Sequence, residues 1–259
     1  MDLEALKAKF NKLNPARDPN RAHFFKAGEA DQTIRMLPYP HAKDPFIEVY
    51  FHYNIGDERS LVCPKEMEGK PCPICEAADK FRNMGGDDNW QIAKSLFPKL
   101  RTYSPVINRA DEEPSVKLWG YGKTIYTSLL EHLMDDDWGD FTDLDVGRDL
   151  VVKTTPPGKN GNNTSFHKPE AKLKPITSAV TDEVKALIDK IPDYLSLELG
   201  LFTIKSYDEL VAAMQSIADT PKESTDVTPG TQVGTETPAK TSPDEIMNQL
   251  TDIFNKDAK

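Results

Sequence analysis

The sequence predicts a mainly β protein with added helices, an α+β class, carrying a metal-binding subdomain. Three observations predict this. The runs Gln32–Leu37, Phe46–His52, Val116–Lys123 and Asp149–Thr154 alternate or are rich in β-branched and aromatic residues, as strands are. Helical spacing lies outside those runs, in a short arm before them and in segments between and after them. All three cysteines of the chain, Cys63, Cys72 and Cys75, follow closely on His52 at the end of the second run.

The 259 residues suffice for one large domain or two small ones. The net charge is −10, which at first sight opposes nucleic acid as a partner, but an uneven charge distribution is decided by its local pattern. An odd number of cysteines at metal spacing indicates a reducing compartment rather than a disulfide framework. The opening M-D-L-E-A-L-K-A-K-F has acids and lysines where a signal peptide needs an apolar run. No stretch approaches the roughly 20 apolar residues of a membrane span. A soluble cytosolic protein without a membrane partner is expected.

Taken in order, residues 1–20 form an arm. Leu3, Leu6, Phe10 and Leu13 recur at helical spacing until Asn14-Pro15 stops them. Such an amphipathic helix packs on its own domain or docks on a neighbouring molecule. The first strand puts Ile34 and Met36 on one face and Arg35 and Leu37 on the other. The second delivers His52 from its end, and a short third strand, Ser60–Val62, brings in Cys63. Cys72-Pro-x-Cys75 is a tight turn that aims two thiolates at one point and opens a helix from Ile74 to Asn83.

Zn²⁺ takes four nitrogen or sulfur ligands in a tetrahedron, and His52, Cys63, Cys72 and Cys75 supply four. A site closed by four protein ligands leaves no place for water or substrate, so one structural zinc is expected. His41, in a Pro-rich turn, is the rival fourth ligand. The bland alternative is three buried, metal-free cysteines. Pro71-Cys72-x-x-Cys75 also matches half of the zinc deaminase signature, but the other half needs H-x-E and here Asn54 follows His52 by two. The general acid/base is missing.

Between Asn89 and Ala110 there is no acidic residue. That window holds Lys94, Lys99, Arg101 and Arg109 among Trp90, Phe97 and Tyr103. In a second basic window, Leu150–Thr181, Glu170 is the only acid among Lys153, Lys159, Lys168, Lys172 and Lys174, and Phe166 lies in its polar loop. The strand between them places Lys117, Trp119, Tyr121 and Lys123 on one side by period two, leaving Val116 and Leu118 for the core. Single-stranded nucleic acid needs cations along its phosphates and flat side chains against its bases. Arg35, Lys94, Lys99, Arg101, Tyr103, Lys117, Trp119, Tyr121, Lys123, Phe166 and Lys168 are the candidate contacts. The bland alternative makes Trp119 and Tyr121 core residues. The helix Thr124–Leu133 precedes Asp135, Asp136, Asp137, Asp140, Asp143 and Asp145, which read as a solvated acidic loop rather than a nuclease magnesium site.

Thr181-Asp-Glu183 caps a helix to Lys190, and Ser206–Glu209 starts another to Ala218. Residues 220–241, rich in Thr, Pro and Gly, make a disordered linker. Ser242-Pro-Asp-Glu245 then caps an amphipathic helix with Ile246, Leu250, Ile253 and Phe254 on one face, a partner-binding element on a tether. The expected organisation is an arm (1–20), a core (21–219) with a zinc subdomain at about 46–85, a linker (220–241) and a terminal helix (242–259).

The order of these pieces resembles the single-stranded DNA-binding (helix-destabilising) proteins of T-even-type bacteriophages. Thr33–Pro38 resembles that family's first core strand. His52, Cys63 and Cys72-Pro-x-Cys75 resemble its zinc site, Arg101-Thr-Tyr103 its basic run before aromatics, and Lys117–Ile125 the strand-to-helix segment that follows. The resemblance covers roughly Glu29 to Ile176. It implies an OB-type β-barrel beside a zinc subdomain, with sequence-independent, cooperative binding of single-stranded DNA in phage replication, recombination and repair. It also implies residence in the cytoplasm of the infected host, self-association through the amino-terminal arm, and recruitment of replication or recombination proteins by the terminal helix. The chain departs from the family where Ser104 follows Tyr103 and where the amino-terminal basic-Ser/Thr run is missing. Two other functional classes remain: a zinc-dependent deaminase or nuclease, and a zinc-stabilised scaffold acting through its terminal helices.

Overall fold

A computed structural model describes residues 22–215 apart from positions 160, 161, 163, 165 and 197. The expected arm, linker and terminal helix therefore lie outside the described residues. The described chain is α+β. Eight strands run β1 Phe24–Phe25, β2 Gln32–Met36, β3 Ile47–Ile55, β4 Glu58–Val62, β5 Lys99–Asn108, β6 Lys117–Gly122, β7 Arg148–Thr155 and β8 Lys168–Thr177. The helices are α1 Pro64–Glu68, α2 Pro73–Met84, α3 Asp87–Leu96, α4 Lys123–Leu133, α5 Asp182–Ile188 and α6 Tyr207–Gln215. Among the described residues no helix is long and apolar enough to cross a membrane.

The chain divides into two compact units. The first comprises Met1–Val49 with Leu100–Phe202, the second Tyr50–Lys99 with Thr203–Lys259. In the first unit the strand order is β1-β6-β5-β2-β7-β8. β1 runs parallel to β6, whereas β5 and β6, β2 and β5, β2 and β7, and β7 and β8 pair antiparallel. The ladder does not close into the expected barrel, because β1 and β8 are its two ends. It comes near to closing just past β1, where the Thr154 N–H donates to the Gly28 carbonyl at 2.7 Å. One face of this sheet buries Ile34, Met36, Val106, Leu150 and Val152 with Ile125 and Leu129 from α4, in the two-residue and helical periods the sequence displays.

Trp119 and Tyr121 belong to that core rather than to an open face. Tyr121 is fully buried and Trp119 nearly so, their ring centroids 4.5 Å apart. The Tyr121 hydroxyl pairs with Ser104 Oγ at 2.7 Å, so burial leaves no polar atom unmet. Leu118 is buried as well: β6 is covered on both sides, which period two alone does not decide. Tyr121→Ala is accordingly expected to lower the unfolding free energy by about 3–5 kcal/mol, read as a lower denaturation midpoint.

The second unit holds the end of β3, β4 and helices α1, α2, α3 and α6. Its core joins Cys63, Cys72 and Cys75 to Ile74, Phe81 and Leu96, with Leu210 and Met214 of α6. This unit therefore takes in α3 and α6, which lie outside the stretch expected at about 46–85. Five elements, the two-residue β1 among them, carried no clear strand or helix signal. β5 contains Pro105, a residue that argues against a central strand. Its pairing with β2 runs only from Asn108 to Val106, so the missing N–H falls where β2 has ended. β8 contains Pro169 and Pro175 and, among the described residues, pairs only with β7, an edge position where proline is tolerated. α1 is a single short turn, and α3 runs from Asp87 and Asp88 into the acid-free window, which reads first as charge.

Candidate metal centre and nucleic-acid interface

His52 sits inside β3, opposite Leu61 of β4, rather than at the strand's end. Cys63 and Cys72 share one local design: each immediately precedes a proline at the start of a helix, α1 and α2 respectively. Proline's fixed φ and missing N–H suit that first position. The cysteine before it is extended, and Cys75 follows in the first turn of α2.

All four residues are buried, and one ligand atom from each lies within 4.8 Å of the others. Cys63 Sγ and Cys75 Sγ are 3.5 Å apart, and His52 Nε2 lies 3.4 Å from Cys72 Sγ and 3.7 Å from Cys75 Sγ. A tetrahedral zinc with ordinary bond lengths places S···S at about 3.8 Å and S···N at about 3.6 Å. The thiols are free; the 3.5 Å separation far exceeds the roughly 2.05 Å of a disulfide. His52 Nδ1–H donates to the Leu96 carbonyl at 2.7 Å, which fixes the tautomer and leaves Nε2 as the ligand nitrogen.

Hydrogen bonds from Cys72 and then Cys75 draw the Cys63 thiol well below its ordinary range. Cys75, as the donor to Cys63 and Cys72, is pushed up. Burial acts to lower the His52 imidazole, yet contacts with Cys63, Cys72 and Leu96 outweigh it and raise His52 to about 9. Protons shared among soft donors in a desolvated pocket are what a bound dication replaces. The rival His41 hydrogen-bonds through Nε2 to the Ile191 carbonyl at 2.8 Å and lies against Tyr39, so it is committed elsewhere. These four residues can hold a metal ion.

The first unit contains a cleft of about 420 Å³ lined by residues from β1, β5, β6, β7 and β8. Lys26, Arg101 and Lys153 supply positive charge, and Phe24 and Tyr103 supply rings, while the buried Trp119 contributes almost no surface. Tyr103 lies over Gly120, where a Cβ would come within 2.6 Å of its Cε1 atom. Only a residue without a side chain permits that approach. Phe202 at 4.9 Å and Phe24 at 5.9 Å between centroids hold the Tyr103 ring from the sides. Arg101 is anchored through Nη2 to the Gly120 carbonyl at 2.9 Å. The Gly-Tyr-Gly of β6 thus serves as a bare floor for a flat side chain and a guanidinium.

Of the candidate contacts read from the sequence, Arg101, Tyr103 and Trp119 line this cleft, Trp119 with almost all of its surface buried. Lys168 stands on β8 between the lining residues His167 and Pro169. Phe166 is exposed. Lys123 is exposed at the start of α4, and Lys117 is half-buried and paired with Asp111 at 3.3 Å. Lys94 and Lys99 are exposed and belong to the second unit.

Arg35 and Tyr121 are not available to a ligand. Arg35 is fully buried beside Asp149 at 3.5 Å, and Arg109 reaches the same carboxylate at 3.0 Å. Burial lowers the Arg35 pKa while Asp149 opposes that shift, the behaviour of an internal ion pair. Sequence reading missed Phe24, Lys26 and Phe202, because their neighbours show neither a charge window nor a strand pattern. Lys153 and Glu170 carried a signal, since both lie in the second basic window. The acids of the loop after α4 serve its turns: Asp140 Oδ1 accepts from the Thr142 N–H, and Asp143 Oδ1 from the Asp145 and Val146 N–H groups. Among the described residues the cysteine–histidine group alone has metal-ligand geometry.

A cationic, aromatic cleft on a β-sheet, in one chain with a buried Cys₃His group, suits the binding of nucleic acid. The comparisons agree. The sequence model of the family described as gp32 DNA binding protein like matches residues 28–218, well over half of the chain, and the protein belongs to that family. Among curated proteins, none matches the chain.

Proposed function

We propose that the protein binds single-stranded DNA without regard to sequence, holds one structural zinc, and has no catalytic activity of its own. The observation that carries this reading is the cleft, which Lys26, Arg101 and Lys153 line together with Tyr103. Separated bases have open π-faces for that ring, while a duplex keeps them stacked. The DNA-binding family supports the partner class. The four donors would bind zinc as a closed tetrahedral centre that organises β3, β4, α1 and α2, with no position left for a reacting water. Asn54, where a deaminase needs glutamate, and the capped acids of the α4 loop favour binding over chemistry.

Protection and organisation of single strands in phage replication, recombination and repair, in the cytoplasm of an infected bacterium, is the process this activity suits. Within it the arm at 1–20 would mediate self-association, and the helix at 242–259 would recruit a replication or recombination protein across the linker 220–241.

Titration with fluorescent single- and double-stranded oligonucleotides tests the reading. Single strands should bind more tightly, dT and mixed sequences alike, and affinity should fall steeply with salt. Arg101→Ala should flatten the logarithmic salt slope by about 0.7, the loss of one phosphate contact. Binding that ignores salt, or equal affinity for duplex, would sink the proposal.

A further inference from the structure

Glu170 is the only acidic side chain among the described residues that line the cleft, and the only acid between positions 150 and 181. It sits on β8 directly across from Lys153 on β7. Its two carboxylate oxygens engage different lysines: Oε2 lies 3.6 Å from Lys153 Nζ, and Oε1 lies 3.8 Å from Lys168 Nζ. Both distances exceed hydrogen-bond length, and all three side chains are partly exposed, Lys168 by 60%. These are loose, exchangeable ion pairs of small individual worth. An anion with two oxygens, bridging two cations at the edge of an aromatic cleft, occupies the place a phosphodiester would take.

We propose that Glu170 is a built-in competitor of the nucleic-acid backbone. In the free protein it neutralises Lys153 and Lys168. When a strand enters the cleft, phosphate takes over the lysines and the carboxylate turns to solvent, leaving a negative charge beside the bound backbone. Affinity and salt dependence are thereby held below what the cations of the cleft alone would give, which keeps the complex readily reversible. This inference rests on the reading of the cleft as the single-strand site. A carboxylate that merely positioned the lysines would have the opposite signature, since its removal would weaken binding. One that accepted hydrogen bonds from base amino groups would favour cytosine over thymine, which offers no exocyclic donor.

The test compares wild type and Glu170→Gln, as full chains, by fluorescence anisotropy with dT and dC oligonucleotides over a salt series. Glu170→Gln should bind both about three- to tenfold more tightly near 0.1 M salt. Its salt slope should steepen by up to about 0.7, because no freed carboxylate remains beside the backbone to retain a counterion. Lys153→Ala should cost more affinity in the Glu170→Gln background than in wild type, because only there is the lysine free beforehand. Unchanged or weaker binding by Glu170→Gln, a gain confined to one base, or the same Lys153→Ala cost in both backgrounds would overturn the proposal while leaving the single-strand reading intact. Wild-type protein that binds no oligonucleotide at any salt would overturn that reading, and this inference with it.

Discussion

Cys72→Ser is expected to strip the protein of its metal and to melt the unit built around it. Cys72 is buried, contacts His52 Nε2 and stands at the start of α2. Structural zinc centres of small domains draw on the order of 10–16 kcal/mol from metal binding, and that binding energy is folding energy. Few domains have more than about 15 kcal/mol in total, so loss of one thiolate removes a dominant share. Metal analysis should give one zinc per wild-type chain and substantially less for the variant. Circular dichroism should show a lower or broadened melting transition, and a strong chelator should reproduce it in wild type. Equal metal content, or coincident melting curves, would refute the structural zinc.

The second large effect is expected at the floor of the cleft. Tyr103→Ala removes the ring that Phe24, Phe202 and Gly120 hold in place. A base–aromatic stack contributes about 1–3 kcal/mol, so single-strand affinity should fall roughly five- to 150-fold, with the salt slope unchanged because no phosphate contact is lost. Gly120→Ala should produce much of the same loss without touching the ring chemically, since its methyl would enter the space 2.6 Å from Cε1. Tyr103→Phe should retain most of the binding. A Tyr103→Ala protein that keeps wild-type affinity would show that bases stack elsewhere. A changed slope would assign Tyr103 to the backbone instead.

The four residues that could hold a metal were legible from sequence because their chemistry is local. Three cysteines and a histidine at short spacing have few other uses, and the Cys-Pro steps announce the helix starts that aim them. The choice of His52 over His41 followed from spacing and agrees with the geometry, in which His41 has the Ile191 carbonyl for a partner. Arg101 and Tyr103 were legible for a similar reason, as a cation and a ring two apart in an acid-free window.

Residues gathered from distant segments were not legible. Whether Arg35 meets solvent depends on Asp149 and Arg109 arriving from β7 and the end of β5, and no local pattern announces an ion pair across 114 positions of chain. Trp119 and Tyr121 alternate as either a binding face or a core face would, and α4 with β2 and β7 decides for the core. Gly120 reads as a strand weakness until Tyr103 is laid across it. The sequence by itself therefore determined which four residues could hold a metal, the α+β class and the charge windows, because each depends on neighbours a few residues apart. Which cations and rings face the cleft was decided only by tertiary structure, because a side chain's exposure is set by segments far away in the chain.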